Sequence, residues 1–371
     1  MGLAGALPSP PVVASRWLGE GRRVVAATLV DRIGSAPLDP GAEMLVDADG
    51  NIEGTVTGGC VESSLVEEAR EVLAGGSPRV VEYGVSDQQA ADVGLMCGGT
   101  VRVFVHELGE TAREPLAAVA AAVDDGAPAA LATLVEGEHA GAKLAVLADG
   151  QTVGGLGPDL LDRAVQREAL GFIDEGLSAL RRYGSGGEVM GDELPVLIQS
   201  FATPPEMVIF GAIDFSAALA RIAREAGYRV TICDARAPFA RSERFAEAAE
   251  VVVEWPDRYL SDRRLGPRDA VLVFTHDPKF DEPALTAALA SGAGYVGALG
   301  SRRTQAERAE RLRRAGLAEE EIARIQAPCG LDVGARTPAE TAVSILAEVI
   351  AVRTGRSGIS LHAVRGPIHP D

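Results

Sequence analysis

A chain of 371 residues with 47% hydrophobic and 24% charged content is long enough for two domains, each with its own core. Its 35 Lys and Arg against 53 Asp and Glu leave a formal net charge of −18, which excludes a nucleic-acid phosphate surface and disfavours anionic membranes. The four cysteines, at 60, 97, 233 and 329, show neither C-x-x-C nor zinc-finger spacing, as expected of reduced cytosolic thiols rather than a disulfide framework.

In chain order, the opening MGLAGALPSPPVVASRW lacks a basic n-region and is broken by prolines, so no signal peptide is expected. No apolar run is long enough to cross a bilayer, and a cytoplasmic location is the expectation. Val24–Val30 (VVAATLV) and Met44–Val46 read as strands, with a turn at Ala48-Asp49-Gly50. The spacing Val61, Leu65, Ala69, Leu73 predicts a helix that stops at Gly75-Gly76. Val80–Tyr83 and Val101–Val105 are two further strands.

This order recurs. Ala27-Thr28-Leu29-Val30 returns as Ala132-Thr133-Leu134-Val135, and Met44-Leu45-Val46 as Leu144-Ala145-Val146. Tyr83-Gly84 returns as Tyr183-Gly184, and the strand at Val101–Val105 as Leu194–Ile198. From Gly41 to Gly84 the offset between copies is constant. Residues 1–203 are therefore read as an internally duplicated α+β region, with units of about 1–110 and 111–203.

The copies differ where chemistry is expected. Cys60, in Gly58-Gly59-Cys60-Val61-Glu62, falls on Leu160, and the segment Met96-Cys97-Gly98-Gly99 is largely missing from the second copy. A scaffold needs its strands and helix twice but keeps these two glycine-flanked cysteines once, which points to function. Cys60 is expected in the first turn of the helix, where unpaired N–H groups and the helix dipole favour a thiolate. Glu62 reads as ordinary dipole compensation.

Pro204-Pro205 reads as a linker. Strand Met207–Phe210, the turn at Gly211, a helix to Ala226, strand Arg229–Cys233 and then Asp234 follow the order of a Rossmann βαβ unit. Strands at Val251–Glu254, Ala270–Thr275 and Tyr295–Leu299 alternate with helices at Glu282–Ser291 and Thr304–Ala315. This alternation predicts a doubly wound parallel, Rossmann-like domain over 204–371. Thr337-Pro338-Ala339-Glu340 is a capping box opening a last helix that runs to about Arg353. In the G-x-G-x-x-G position Ile213 replaces the second glycine and would crowd a pyrophosphate, so NAD(P) binding is doubtful. Polar clusters at strand ends, around His276 and Asp277, Gly300, Ser301, Arg302 and Arg303, and Asp332, mark a ligand crevice. Its arginines and Lys279 suit phosphate. His276 beside Asp277 fits an acid–base pair or a capped turn equally. Cys233, within a strand, and Cys329, after a proline, read as structural.

With these segments the chain resembles the XdhC/CoxI family, maturation factors of molybdenum hydroxylases such as xanthine dehydrogenase. The resemblance spans nearly the whole length. It is carried by Gly34-Ser35-Ala36-Pro37, Gly58–Glu62, Cys97–Gly99, Thr275–Asp281, Tyr295–Thr304 and Gly330–Glu340. It implies an accessory protein, a chaperone more than a turnover enzyme, that binds molybdenum cofactor and aids its sulfuration and insertion. The implied partners are an apo molybdenum hydroxylase, a cysteine desulfurase and a second copy in a homodimer. Carried over to this chain, Cys60 and Cys97 would contact the cargo, including its molybdenum, or perform sulfur chemistry. Ser35, Gly58, Gly59, Gly98, Gly99, Gly211, Asp234, His276, Asp277, Gly300, Ser301, Arg302, Arg303 and Asp332 would line its binding surfaces. Many members carry G-A-G-H where this chain has Gly211-Ala212-Ile213-Asp214. Two other readings remain open: a nucleotide-dependent oxidoreductase with a Cys60–Cys97 redox pair, and a non-catalytic interaction protein.

Overall fold

After helix α1 (Pro10–Gly19), every residue of the run Val24–Val30 in strand β1 (Val24–Ile33) is buried, so the strand is covered on both faces. Side chains alternate along a strand. Val25, Ala27 and Leu29 enter one apolar cluster, while Val24, Ala26 and Val30 enter others that contain residues of the second copy. The strand is flanked by β2 (Glu43–Asp47) and β3 (Ile52–Gly54) on one side. Helix α2 (Glu62–Leu73) then covers the first cluster, and β4 (Arg79–Tyr83) and β5 (Thr100–Glu107) complete the sheet. The computed structural model describes residues 9–34, 36–84, 99–188, 191–240 and 243–364. The chain divides between Thr203 and Pro204 into two compact units.

The second copy repeats the plan. Helix α3 (Arg113–Asp124) leads into β6 (Ala129–Leu134), β7 (Lys143–Leu147), β8 (Thr152–Gly154), α4 (Asp159–Glu175), β9 (Ala179–Tyr183) and β10 (Leu194–Phe201). The two antiparallel sheets have the same strand order, β3-β2-β1-β5-β4 and β8-β7-β6-β10-β9. Their inner faces meet through Val30, Phe104, Val135 and Leu197, with α1 and α3 closing one end of the seam. The seam also holds a symmetric polar set. Buried Thr28, Glu43 and His106 of the first copy stand where the second has buried Thr133, Lys143 and Gln199. Thr28 donates to Glu43 at 2.7 Å, and Lys143 donates to Thr133 at 2.9 Å. Duplication thus kept the hydroxyl and reversed the charge. Helix α1 and the edge strands β3 and β8 were not expected, since three-residue edge strands carry no period to read.

The second unit opens with β11 (Glu206–Phe210), α5 (Asp214–Glu225), β12 (Arg229–Cys233), α6 (Ala237–Ala240), β13 (Glu250–Val252) and α7 (Pro256–Ser261). It continues with β14 (Ala270–Val273), α8 (Pro278–Ala290), β15 (Tyr295–Ala298), α9 (Arg302–Arg314), α10 (Glu319–Ala323), β16 (Ile325–Gln326) and α11 (Pro338–Arg353). All six strands are parallel in the order β13-β12-β11-β14-β15-β16, so their carboxyl ends share one edge. Alternate residues of β11, Met207 and Ile209 against Val208 and Phe210, fill separate cores on the two faces. Helix α8 starts four residues before the expected Glu282, because Asp277 caps it and Pro278 occupies its first position. Helix α11 is capped as its sequence requires. Thr337 Oγ1 accepts from the Glu340 N–H at 3.2 Å, and Glu340 accepts from the Thr337 N–H at 3.0 Å. Among the described residues no helix is long and apolar enough to cross a membrane.

Candidate functional site

The turn carrying Cys60 is built around one carboxylate. Glu62 accepts hydrogen bonds from the N–H groups of Val56 (3.1 Å), Thr57 (2.8 Å), Gly59 (2.9 Å) and Val61 (3.1 Å). It also accepts from the hydroxyls of Thr55 and Thr57. Thr57 Oγ1 in turn takes the N–H groups of Cys60 and Val61, each at 3.2 Å. Gly58 and Gly59 adopt φ of 75° and 118°, a region costly to other residues, and so allow the chain to wrap this carboxylate. Burial pushes the Glu62 carboxyl up, but the Thr55 hydroxyl and the donors of Thr57 outweigh it and hold the group down at about 2.

Two expectations change here. Cys60 lies before the N-cap Val61, outside α2 rather than in its first turn. The N–H groups of residues 59–61 are already paired, and the charge at the helix start belongs to Glu62. Glu62 is therefore the organiser of the cysteine turn and not a generic helix-start acid. The signal lay in the threonines at 55 and 57 ahead of it. The second copy has Gly155 and Gly157 at those places. There Asp162 replaces Glu62, takes the N–H of Leu156 at 2.8 Å, and is pushed up by its burial. Leu160, at the place of Cys60, is an exposed apolar side chain. Cys60 itself is half-buried and packs on the cluster that includes Ala36, Val56, Val61 and Val101.

The glycine-rich segments of the first copy converge on one sheet end. Ile33 pairs with Thr100 and Tyr83 with Val101, so Gly34, Gly84 and Gly99 all emerge there. A Cβ placed on Gly34 would stand 3.7 Å from the Cα of Gly99. The Tyr83 hydroxyl donates to Ser64 Oγ at 3.2 Å, tying the first turn of α2 to the same end. The structure thus gathers Gly34, the Cys60 turn and buried Gly99. Ser35, Cys97 and Gly98 lie outside the described residues.

In the second unit Gly211, Asp234, His276, Asp277, Gly300, Ser301, Arg302, Arg303 and Asp332 all follow carboxyl ends of the parallel sheet. A Cβ on Gly211 (φ 114°) would meet the Phe274 carbonyl carbon at 3.2 Å, so only glycine fits where the strand order reverses. Asp234 is fully engaged within the protein. One oxygen accepts from the N–H and Nε of Arg236, both at 2.9 Å, and the other from Arg236 Nη2 and the Ala212 N–H, both at 2.8 Å. Four donors fill the acceptor capacity of a carboxylate. Burial alone would push this carboxyl up, but Arg236 and these N–H groups hold it below its usual range. Arg236, two residues after the acid, was not singled out from sequence.

Ile213 is the N-cap of α5 and packs on the core. Exposed Asp214 follows it and is held by Arg244 at 2.7 Å, which sets a carboxylate where a pyrophosphate would need N–H groups. Asp277 caps α8 through the Lys279 N–H at 3.2 Å and pairs with Lys279 Nζ at 3.1 Å, so the Asp277 side chain serves the capped turn beside exposed His276. Ser301 caps α9 by accepting from the Thr304 N–H at 3.1 Å, after Gly300 at φ 148°. Arg302 and Arg303 are exposed, and Arg303 pairs with Glu307 at 3.0 Å. Exposed Asp332 lies in the loop whose Gly330 N–H donates to Glu348 at 2.8 Å. Cys233 and Cys329 are buried, and burial pushes each thiol up to about 12, so neither offers a thiolate. Among the described residues no group of three or more His, Cys, Asp or Glu side chains is placed to hold a metal ion.

Residues 17–84 and 122–184, the cores of the two copies, match the family described as XdhC and CoxI, and residues 207–349 match the XdhC Rossmann domain. The chain belongs to the XdhC/CoxI family. A relative from Bacillus subtilis (strain 168), described as a probable subunit of xanthine dehydrogenase, is 25% identical over 342 residues, covering 91% of this chain and 95% of its own. A second, from Escherichia coli (strain K12), described as the molybdenum cofactor insertion chaperone PaoD, is 28% identical over 341 residues, covering 91% of this chain and 85% of its own. A crystal structure of a xanthine dehydrogenase from Bacillus halodurans has the same fold, with a TM-score of 0.69, 23% identity, and coverage of 96% of this chain and 99% of that one. The fold of this XdhC/CoxI chain is thus α/β, with a duplicated first unit and a Rossmann-like second unit.

Proposed function

We propose that this protein is a molybdenum cofactor chaperone that receives the cofactor, holds it while its sulfido ligand is added, and inserts it into an apo molybdenum hydroxylase. The observation that carries this reading is the Cys60 turn. It is one of two duplicated turns, and the copy that bears a thiol is the one whose threonines and acid lock it in place. Family membership and the insertion chaperone among the relatives support the cargo.

The chemistry is consistent. Molybdenum in a dithiolene is soft towards sulfur, and thiols at Cys60 and Cys97 suit it as contacts. Glycine-rich backbone at Gly58, Gly59, Gly98 and Gly99 suits the cofactor's phosphate. A carrier must release its cargo, so a closed four-ligand site would work against it. A cysteine desulfurase as sulfur donor, and a homodimer as the working form, belong to the same proposal. Saturated Asp234 and the Ile213–Asp214 turn weigh against the dinucleotide-dependent alternative.

The test is metal analysis and mass spectrometry of protein purified anaerobically from cells that make the cofactor, with Cys60→Ala alongside. Stoichiometric molybdenum and pterin in the wild type, sharply reduced in the variant, are expected. Equal loading of both proteins, or none in either, overturns the reading.

A further inference from the structure

The second unit carries an aromatic stack at its sheet edge that the cargo reading does not use. The Arg236 guanidinium lies 4.3 Å from the ring centroid of Phe239 and 5.8 Å from that of Phe280. Phe280 meets Trp255 with centroids 4.9 Å apart and planes at 40°. These side chains come from the carboxyl ends of three strands of the sheet: Arg236 and Phe239 after β12, Trp255 after its neighbour β13, and Phe280 after β14, one strand beyond β11. Phe280 is nearly covered, at 6% exposure, whereas Phe239 and Trp255 keep 46% and 39% of their surface in water.

The stack is held in place. Arg236 is clamped by both oxygens of Asp234, and Asp234 is itself fixed by the Ala212 N–H. The charges at the stack are paired, Asp234 with Arg236 at 2.8 Å and Asp277 with Lys279 at 3.1 Å, and the Glu254 carboxylate that accepts from the Trp255 N–H at 3.0 Å adds negative charge. An anion therefore gains little here, while a flat ring gains exposed aromatic faces and a fixed guanidinium plane.

We propose that Trp255, Phe239 and Arg236 form a stacking platform for a fused-ring nitrogen heterocycle, the chemistry shared by pterins and purines. Its pterin form rests on the cargo reading above; its purine form does not. Recognition is by the face of the ring, which tolerates differences at the ring edge and depends weakly on salt.

Calorimetry on the wild-type protein, purified without metal, tests this with pterin, guanosine monophosphate, cytidine monophosphate and inorganic phosphate as probes. Fluorescence gives a second readout. The chain has 2 tryptophans, and Trp17 is 5% exposed, so Trp17→Phe leaves Trp255 as the reporter. Saturable binding of pterin or guanosine monophosphate is expected, with quenching of Trp255, weaker binding of the single-ring cytidine nucleotide and none of phosphate. Phe239→Ala and Trp255→Ala, both at exposed positions, should each weaken it about tenfold or more. Tighter binding of pterin identifies the cofactor's own ring as the source; tighter binding of the guanosine nucleotide identifies a purine. No saturable binding of either fused ring, equal binding of the cytidine nucleotide, or binding unchanged in both variants overturns the platform. No probe contains molybdenum, so this failure is distinct from failure of the Cys60 test.

Discussion

The Glu62 carboxylate takes the N–H of Gly59 at 2.9 Å, closing the chain into the turn that presents Cys60. Removing the carboxylate leaves several N–H groups without their acceptor. Glu62→Ala should cost about 1–2 kcal/mol after water replaces part of the loss. It should also lower cargo loading although Cys60 is intact. Denaturant titration and molybdenum content check the two effects, and full loading in a destabilised variant would confine Glu62 to folding.

Acid should unlock the same turn. The Glu62 carboxyl is depressed from an ordinary 4.5 to about 2, so its contribution is fully present above pH 4.5 and is lost as pH falls from 4.5 towards 2. Wild type minus Glu62→Gln stability should therefore shrink across that window and stay constant above it. Parallel curves would show that the turn does not depend on the ionised carboxylate.

Cys60→Ala should reduce bound cofactor and client activation while leaving Tm nearly unchanged, because Cys60 is only half-buried. Cys233, fully buried and donating its thiol to the Glu254 carbonyl at 3.4 Å, should behave oppositely. Cys233→Ala should cost about 1 kcal/mol and leave cargo untouched. Loss of cargo in the second variant alone would relocate the functional thiol.

At α5, Ile213 and Asp214 leave no anion site and Asp234 has no acceptor to spare. NAD should therefore bind no more tightly than adenosine monophosphate, since its pyrophosphate and second ribose gain nothing. Calorimetric titration decides; micromolar NAD affinity would show that the turn opens to a dinucleotide.

Lys143 makes stability rise in mild base. Burial pushes its amine down from 10.5 to about 8 despite nearby Glu43. The folded state then disfavours the charged form, and that cost disappears as pH climbs from 8 to 10.5. Relative to Lys143→Met, the wild type should gain on the order of 2–3 kcal/mol over that interval. Urea unfolding at several pH values checks this, and a constant difference would mean that Lys143 is better solvated than its burial implies.

The duplication, the alternation of the second unit and the capping box at Thr337 were legible because each is written in residue type and spacing along the chain. The run VVAATLV is continuous, not alternating, because β1 is buried on both faces, and the same holds for β11. Edge strands β3 and β8 and the early start of α8 were not legible. Three residues carry no period, and Pro283 suits the first turn of a helix as well as Pro278 does.

The sequence by itself determined which copy carries the thiol, where the parallel strands lie and which turn lacks its second glycine. Each of these is a matter of residue type and spacing along the chain. Only the tertiary structure decided what the polar groups do. Glu62 became the centre of its turn because the positive φ of Gly58 and Gly59 folds the chain back over it. Asp234 is saturated because the turn after β12 returns Arg236 to it, while Gly211 brings the Ala212 N–H to one of its oxygens. Hydrogen bonds form within about 3 Å, and that distance is set by how strands and turns pack, which residue spacing alone does not specify.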